Sequence, residues 1–199
     1  MNTKFNQFRR VALSSIALAA IFSVASQGLA QTAPVPVKVK MSTSMGDILI
    51  ELDANKAPKS VENFVKYVQD KHYEGTIFHR VMDGFMIQGG GFTTDMGQKP
   101  VRSPIALESN NGLKNDRGTI AMARTNVPNS ATAQFFINVV DNSSLNAPLP
   151  DGYGYAVFGK VTAGMDVVDK IRTTAVANKA GHANVPVTPI TINKVTIEK

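Results

Sequence analysis

The sequence of 199 residues contains no cysteine. It therefore has no thiol nucleophile, no redox pair, no disulfide framework and no cysteine-ligated zinc or iron–sulfur site. Histidine is also scarce, since only His72, His79 and His182 occur and none has an H-x3-H or H-E-x-x-H spacing. We therefore expect neither a metal nor another cofactor.

Repetitive patterns are absent as well. The sequence has no G-X-Y period, no heptad run and no low-complexity tract, which excludes collagen-like and coiled-coil proteins. Hydrophobic residues make up 43% and charged residues only 18%, which argues against disorder as the main state. A chain of this length and apolar content can bury the core of one domain.

The first thirty residues have the pattern of a targeting segment. Lys4, Arg9 and Arg10 precede an apolar run over 11–24, and small residues follow up to Ala30. This order is typical of a secretory signal peptide. Because the run is shorter than the ~20 residues that span a bilayer, we expect no stable membrane anchor. We predict cleavage after Ala30 and export to the periplasm by the general secretory route, with 1–30 as signal peptide, 31–36 as linker and 37–199 as one domain.

Loss of this segment changes the charge. Removal of three of the 21 basic residues leaves 18 against 15 acidic residues, so the net charge falls from +6 to +3. Nucleic-acid binding requires a clustered basic face. We therefore expect no nucleic-acid partner.

Alternating apolar residues and turn signals predict many short strands and two helices in the exported part. A helix is expected from Pro58 to about Asp70 and a second one after Gly164, whereas 91–117 has the composition of a long ordered loop. The predicted strands are 37–41, 48–52, 76–81, 85–88, 119–123, 135–140, 156–161 and 190–197, the last with a bulge near Asn193 and Lys194.

This pattern favours an antiparallel barrel or sandwich, and it does not decide between them. The first and last strands are both strongly alternating. They could pair and close the sheet, which would remove its exposed edges.

One predicted strand pair, from Phe78 to Gly90, carries an unusual set of side chains. Strict alternation places Phe78 and Arg80 on one face, with His79 and Val81 on the other. An arginine in this setting suits a binding groove, although it could also lie at a barrel rim with its aliphatic stem over core residues. Across the Asp83-Gly84 turn, the side chains that could join Arg80 are Phe85, Met86 and Gln88.

A glycine triplet, Gly89 to Gly91, follows this strand pair. A phosphate-binding loop would continue with Lys-Ser/Thr and the start of a helix. Neither signal follows, so the triplet does not indicate a nucleotide site.

A second cluster consists of Gly118-Thr-Ile-Ala-Met-Ala-Arg124 and Ser130-Ala-Thr-Ala-Gln-Phe-Phe-Ile137. Alone, it could be a buried strand pair with a polar loop. Together with the F-H-R-V-x-x-G-F-M-I-Q-G-G string and Val157-Phe-Gly-Lys-Val161, it resembles the cyclophilin family of peptidyl-prolyl cis-trans isomerases. The resemblance extends from about Val37 to Glu198 and is strongest to the exported, periplasmic members.

The resemblance implies a mainly β fold, a closed eight-stranded antiparallel β-barrel capped by two α-helices. It implies an isomerase, or rotamase, that accelerates rotation about X-Pro bonds in unfolded or partly folded polypeptides and thereby assists protein folding. We expect this enzyme to be a monomer. Arg80, Phe85 and Gln88 would be the catalytic residues, with Arg80 donating to the twisted prolyl amide. The substrate-binding residues would be Met86, Ala123, Arg124, Gln134, Phe136, Leu145 and Tyr155.

Three features depart from the commonest family pattern. Ser144 stands where many members carry an aromatic residue, usually tryptophan, and Tyr155 where many carry histidine. The loop 146–154 is longer than in compact members. Because cyclosporin binding in this family relies on the aromatic residue at the place of Ser144, we expect weak inhibition by the drug.

Two other functions fit the sequence less well. A chaperone-like binding module would hold proline-containing segments without turnover, but it would have no use for the charge of Arg80 in an apolar pocket. A small-molecule-binding exported barrel would need long alternating strands around a cavity, which the sequence lacks.

Overall fold

The computed structural model describes residues 36–198. The predicted signal peptide and linker residues 31–35 lie outside the described residues. Within this described part, none of the helices has the length and apolar character needed to cross a membrane.

Ten β-strands and two α-helices follow one another in residues 36–198. Helix α1 is Pro58–Gln69, helix α2 is Met165–Arg172, and a short 3₁₀ turn covers Ser143–Leu145. The strands are β1 Val37–Thr43, β2 Gly46–Leu52, β3 Thr76–Met82, β4 Met86–Thr93, β5 Thr119–Met122, β6 Phe135–Asn138, β7 Val157–Ala163, β8 Val176–Lys179, β9 His182–Pro186 and β10 Thr191–Glu198.

Eight of these strands form a closed antiparallel barrel in the order β1-β10-β3-β4-β6-β5-β7-β2. The barrel with two helices expected from the resemblance is confirmed. The first and last strands do close the sheet, since β1 pairs with β10. The register between them passes from Ser42–Lys194 to Thr43–Ile192 and skips Asn193, which confirms the predicted bulge.

The barrel interior is filled by alternate residues of its strands and closed by the apolar faces of the helices. Phe64 of α1 packs on Tyr73, Phe135 and Phe158 with ring centroids 4.9, 5.8 and 5.4 Å away. Pro58 lies in the first turn of α1, where proline interrupts no helical hydrogen bond. Helix α2 contributes Val167, Val168 and Ile171 to the same core.

The predicted alternation fails in β3, where two expectations are wrong: Arg80 does not share the face of Phe78, and Val81 does not share the face of His79. The register with β4 shifts between Phe78, which pairs with Gly89, and Arg80, which pairs with Gln88. Such a bulge inserts one residue and turns the following side chains to the opposite face. As a result both Phe78 and Val81 lie in the barrel core, whereas Arg80 is half-buried.

Strand β4 is longer than predicted because the glycine triplet continues it. Gly90 has φ +85°, and a Cβ atom there would lie 2.9 Å from both the Phe135 and the Tyr73 rings. Only glycine allows this backbone conformation at this distance from the rings.

A hairpin of β8 and β9 was not predicted. All four residues of β8 are exposed, so the segment has no alternating apolar pattern to signal a strand. Strand β9 packs against β3, and Val185 joins Ile77 and Met96 in a small separate core.

Candidate active site

A row of directly paired residues crosses five neighbouring barrel strands. Arg80 pairs with Gln88, Gln88 with Phe136, Phe136 with Ala121, and Ala121 with Val157. Directly opposite residues of antiparallel strands project from the same face of a sheet. The flanking residues of β6, Phe135 and Ile137, belong to the barrel core, so this row lies on the outer face of the barrel.

The row forms the floor of an apolar patch, called here the outer cluster. Its buried members are Met86, Ala121, Phe136, Leu145 and Val157, and the half-buried members around them are Met82, Phe85, Leu113, Ala123 and Tyr155. Six of the predicted site residues therefore come together here, from β4, β6 and three loops. An apolar depression on a sheet suits a small hydrophobic ring such as that of proline.

Arg80 stands at the β3 end of the row. Neighbouring strands are about 4.8 Å apart, so the Cα atoms of Arg80 and Phe136, two strands away, are separated by about 10 Å. A ring held over Phe136 would be within reach of a guanidinium from β3. The bulge before Arg80 is therefore what places this cation beside the outer cluster.

The two predicted glutamines lie on the same side of the site. Gln88 Nε2 donates to Gln134 Oε1 at 2.9 Å, and both side chains are half-buried. Among the hydrogen bonds of residues 36–198, none joins either amide to Arg80. A Cβ atom on Gly91 would lie 2.6 Å from Gln134 Cγ, so the bare backbone of Gly91 leaves the space that Gln134 occupies.

Tyr155 forms one wall of the patch. Its ring meets Phe136 edge-on with centroids 5.6 Å apart. On its other side the guanidinium of Arg124 lies 4.6 Å from the ring centroid. Tyr155 N–H also donates to the carbonyl of Leu145 at 2.9 Å, which joins the two pocket residues.

Arg124 is placed differently from the other predicted residues, because its side chain is only 1% exposed. The guanidinium donates to the carboxylate of Asp151 at 2.7 Å, to the carbonyl of Gly154 at 2.8 Å and to that of Thr125 at 2.9 Å. The bonds from Arg124 lower the pKa of Asp151 below its ordinary value. The charged group thus binds the loop 146–154 and leaves only the backbone of Arg124 to face a substrate.

Sequence reasoning missed three buried asparagines behind the patch, Asn115, Asn138 and Asn142. Asn142 Nδ2 donates to the carbonyl of Phe85 at 2.8 Å and to Asn138 Oδ1 at 2.7 Å. No local pattern distinguishes such a residue from a loop asparagine. The only available signal was Asn138 at an apolar position of the predicted strand 135–140.

Groups that could ligate a metal do not converge in the described chain. Over residues 36–198, no three histidine, aspartate or glutamate side chains come together in a metal-binding arrangement. The nearby His79 projects away from the outer cluster, onto the ring of Phe92 at 4.6 Å.

Comparisons with known proteins agree with this geometry. Residues 38–197 match the family model described as cyclophilin type peptidyl-prolyl cis-trans isomerase. The chain is 57% identical over 161 residues to the peptidyl-prolyl cis-trans isomerase cyp18 of Streptomyces antibioticus, a match that covers 80% of this chain and 97% of that protein. It is 53% identical over 163 residues to peptidyl-prolyl cis-trans isomerase B of Escherichia coli (strain K12), covering 81% and 99%.

A solved structure is similar over most of the chain. It is that of a cyclophilin type peptidyl-prolyl cis-trans isomerase of Cryptosporidium parvum in the presence of the dipeptide Ala-Pro. The TM-score is 0.67 at 28% identity, and the alignment covers 81% of this chain and 99% of the other.

Proposed function

This chain belongs to the cyclophilin-type peptidyl-prolyl cis-trans isomerases and is an enzyme of that activity, and we propose that Arg80 carries its catalytic effect. The observation that supports this most directly is the cross-strand row, which sets Arg80 beside the apolar floor at Phe136. The relatives at 57% and 53% identity carry the name of the same activity.

The reaction itself explains why one cation beside an apolar patch is sufficient. Resonance in the X–Pro amide sets a rotation barrier of ~18–20 kcal/mol, and uncatalysed rotation takes tens of seconds or longer. In the twisted transition state this resonance is lost, and the lone pair localises on the prolyl nitrogen. No covalent bond breaks, so the enzyme needs no nucleophile; it only has to bind the twisted form more tightly than the planar ones.

Arg80 meets this need electrostatically. Its guanidinium is always charged and presents several donors in a rigid fork, so one N–H can donate to the prolyl nitrogen while another holds the proline carbonyl. In a site from which water is partly excluded, such a preorganised donor is worth more than in water. An acceleration of ~10⁵ corresponds to about 7 kcal/mol, which a few such contacts can supply.

The remaining predicted residues fit this scheme as substrate contacts. Met86, Phe136 and Leu145 are buried side chains that would hold the proline ring, with Phe85 and Tyr155 at its edges. Gln88 and Gln134 hold each other in place and would bond the substrate backbone, which would pass Ala123 and Arg124. We expect the enzyme to act as a monomer.

The substrates we propose are unfolded or partly folded polypeptides with X-Pro bonds, on which the enzyme assists folding. The Cryptosporidium parvum relative, whose structure was determined in the presence of Ala-Pro, supports a proline-containing peptide as substrate.

Arg80→Ala and Arg80→Lys test the assigned mechanism. We expect Arg80→Ala to lower kcat/KM for a proline peptide by about 10²–10³, the loss typical of one oxyanion-type donor. Arg80→Lys should recover little, because a point charge cannot replace the fork. Exchange spectroscopy on a proline peptide measures turnover and binding together, and we expect binding to change little.

Arg102→Ala is the matched control, since it removes an exposed arginine paired with Asp70, the residue that caps the C-terminal end of α1. It should keep the wild-type rate. Wild-type rates in either Arg80 variant would contradict the mechanism, and unfolding of Arg80→Ala would instead give Arg80 a structural role at the barrel rim.

We further propose that this isomerase works on exported polypeptides in the periplasm. The support is the signal-peptide pattern of residues 1–30. Expression with its own leader in a Gram-negative host should yield periplasmic protein beginning at Gln31. An intact mass that retains residues 1–30 would contradict export by a cleavable signal.

A further inference from the structure

Three buried amide side chains form a continuous relay behind the outer cluster. Asn115 is 1% exposed, Asn138 0% and Asn142 7%. Asn142 Nδ2 donates to Asn138 Oδ1 at 2.7 Å, and Asn138 Nδ2 donates to Asn115 Oδ1 at 3.2 Å. A second bond from Asn138 Nδ2 reaches the Thr119 hydroxyl at 2.9 Å.

Each end of the asparagine relay is fixed by backbone carbonyls. A carbonyl oxygen can only accept a hydrogen bond, so the bond to the Phe85 carbonyl requires Asn142 to point its Nδ2 there. At the other end Asn115 Nδ2 points at three acceptors, Asn146 Oδ1 at 3.1 Å and the carbonyls of Leu145, at 3.2 Å, and Tyr155, at 3.3 Å. Asn138 in the middle must then accept from one neighbour and donate to the other, so only one orientation of the three amides satisfies all of them.

The three carbonyls that the relay holds belong to three residues of the outer cluster. Phe85 ends the β3–β4 turn, Leu145 ends the 3₁₀ turn and Tyr155 precedes β7. Phe85 is remote in sequence from the other two residues, which lie in the connection between β6 and β7 and are joined by the bond from Tyr155 N–H to the Leu145 carbonyl at 2.9 Å. Backbone bonds add to the same connection, since Asn142 N–H donates to the Asn115 carbonyl at 2.8 Å and Val139 N–H to that of Phe85 at 3.1 Å.

We propose that Asn115, Asn138 and Asn142 are positioning residues of the isomerase, which set the distance of the pocket walls from Arg80. This proposal rests on the pocket assignment made above. None of the three touches the proline ring in that assignment; they act through the backbone of Phe85, Leu145 and Tyr155. A fully satisfied buried amide network is rigid and specifies one arrangement, whereas a half-satisfied one does not.

Asn142→Asp tests the relay at the bond to Phe85 with almost no change in shape. An ionised aspartate only accepts, so it would face two other acceptors, the Phe85 carbonyl and Asn138 Oδ1. Burial beside acceptors favours the protonated form, which can donate one bond again. We expect kcat per folded molecule to fall about tenfold at pH 8, the effect that the loss of one buried hydrogen bond can produce. Near pH 5.5, kcat should return to within about threefold of the wild-type value.

Two further variants keep the proposal open to refutation. Asn142→Ser keeps a hydroxyl donor, but the serine side chain is too short to reach both the Phe85 carbonyl and Asn138 Oδ1. This variant should lower kcat at every pH, with no recovery at low pH. Thr76→Val is the matched control, because it removes another buried side-chain hydrogen bond, from Thr76 Oγ1 to the Tyr73 carbonyl at 2.7 Å, away from the pocket. It should lower the melting temperature and leave both kcat and its pH profile unchanged.

Exchange spectroscopy on an X-Pro peptide gives kcat and binding, and circular dichroism gives the folded fraction of each variant. If both Asn142 variants keep wild-type kcat when fully folded, or if Thr76→Val loses kcat equally, the relay does not position the pocket. Activity retained in Arg80→Ala would refute the assigned mechanism instead, so the two failures are distinguishable.

Discussion

Arg80 reaches the pocket through a single irregularity of β3. The shift between the pairs Phe78–Gly89 and Arg80–Gln88 turns the arginine to the outer face while Phe78 stays in the core. A guanidinium pointing into the barrel would have to be desolvated among apolar side chains, at a cost of several kcal/mol. At the edge of the outer cluster its stem can cover apolar atoms while the charge remains available.

Ser144 is the residue that we expect to set how the rim of the same pocket binds a bulky ligand. It lies exposed in the 3₁₀ turn beside the buried Leu145. An aromatic ring at this place would add a few kcal/mol of contact to a bulky apolar ligand, at ~25 cal/mol per Å². This corresponds to two or more orders of magnitude in affinity.

We therefore expect the natural sequence to be an active isomerase that cyclosporin inhibits poorly. Ser144→Trp should gain sensitivity to the drug with little change in turnover, because the proline ring would rest mainly on Met86, Phe136 and Leu145. Titration of the drug against both proteins in the isomerase assay measures this. Tight inhibition of the natural sequence would mean that another ring, such as Tyr153 or Tyr155, fills the rim.

At the scale of elements, one loop leads into the Tyr155 wall of the site. Residues 146–154 expose Leu149 and Tyr153, at 54% and 49%, so the loop has little apolar core of its own. Its attachment is polar, through the bonds from Arg124 to Asp151 and Gly154. Because Arg124 also stacks on Tyr155, the same side chain fixes both the loop and the ring that borders Phe136.

Arg124→Ala should therefore loosen this loop. We expect it to lower the free energy of unfolding by about 1–3 kcal/mol, since the carbonyl of Gly154 loses its donor, and to raise KM more than it lowers kcat. Chemical denaturation and amide hydrogen exchange over 147–155 measure the two effects.

Lys170→Ala is the control for Arg124→Ala, because its pair with Asp166 is exposed on α2. Such a pair contributes about 0–1 kcal/mol. Equal effects of the two substitutions, or unchanged exchange in the loop of Arg124→Ala, would contradict the role assigned to Arg124.

At the scale of the whole molecule, the closed barrel carries the site on its outer face and the β8–β9 hairpin on a neighbouring region of β3. Phe92 of β4 lies between two imidazoles there, His79 at 4.6 Å and His182 at 5.0 Å. Burial, the proximity of His182 and that of Arg80 lower the pKa of His79 to about 4. Its Nδ1 has no hydrogen-bond partner within the described residues.

The pKa of His79 predicts how stability depends on pH. Between pH 6.5 and 4 the unfolded chain binds a proton that the folded protein does not, so the folded protein loses stability as the pH falls through this window. Protonation of His79 in the unfolded chain should lower the free energy of unfolding by about 3 kcal/mol at pH 4, relative to neutral pH. Urea denaturation at several pH values measures the slope.

His79→Leu should flatten this dependence between pH 6.5 and 4.5. His182→Gln, which replaces the half-buried imidazole on the other side of Phe92, should retain most of it. An unchanged slope in His79→Leu would mean that His79 stays neutral in both states or charged in both.

Much of the architecture follows from local pattern. Alternation and turn residues identified the eight barrel strands, both helices, the pairing of the first and last strands and the bulge at Asn193, because burial on one side of a strand or helix leaves a periodic trace in the sequence. The motif from Phe78 to Gly90, together with the strings 118–124, 130–137 and 157–161, identified the family. It also named residues that the fold collects on one face, including Arg80, Gln88 and Phe136.

The tertiary structure alone decided the polar partners. The direction of the Arg124 guanidinium, the exposed β8–β9 hairpin and the relay of Asn115, Asn138 and Asn142 leave no periodic trace. The relay joins the carbonyl of Phe85 to those of Leu145 and Tyr155, about sixty residues further along the chain. Apolar burial recurs at the regular spacing of a strand or helix. A buried hydrogen bond instead depends on which distant backbone group the closed barrel brings within about 3 Å.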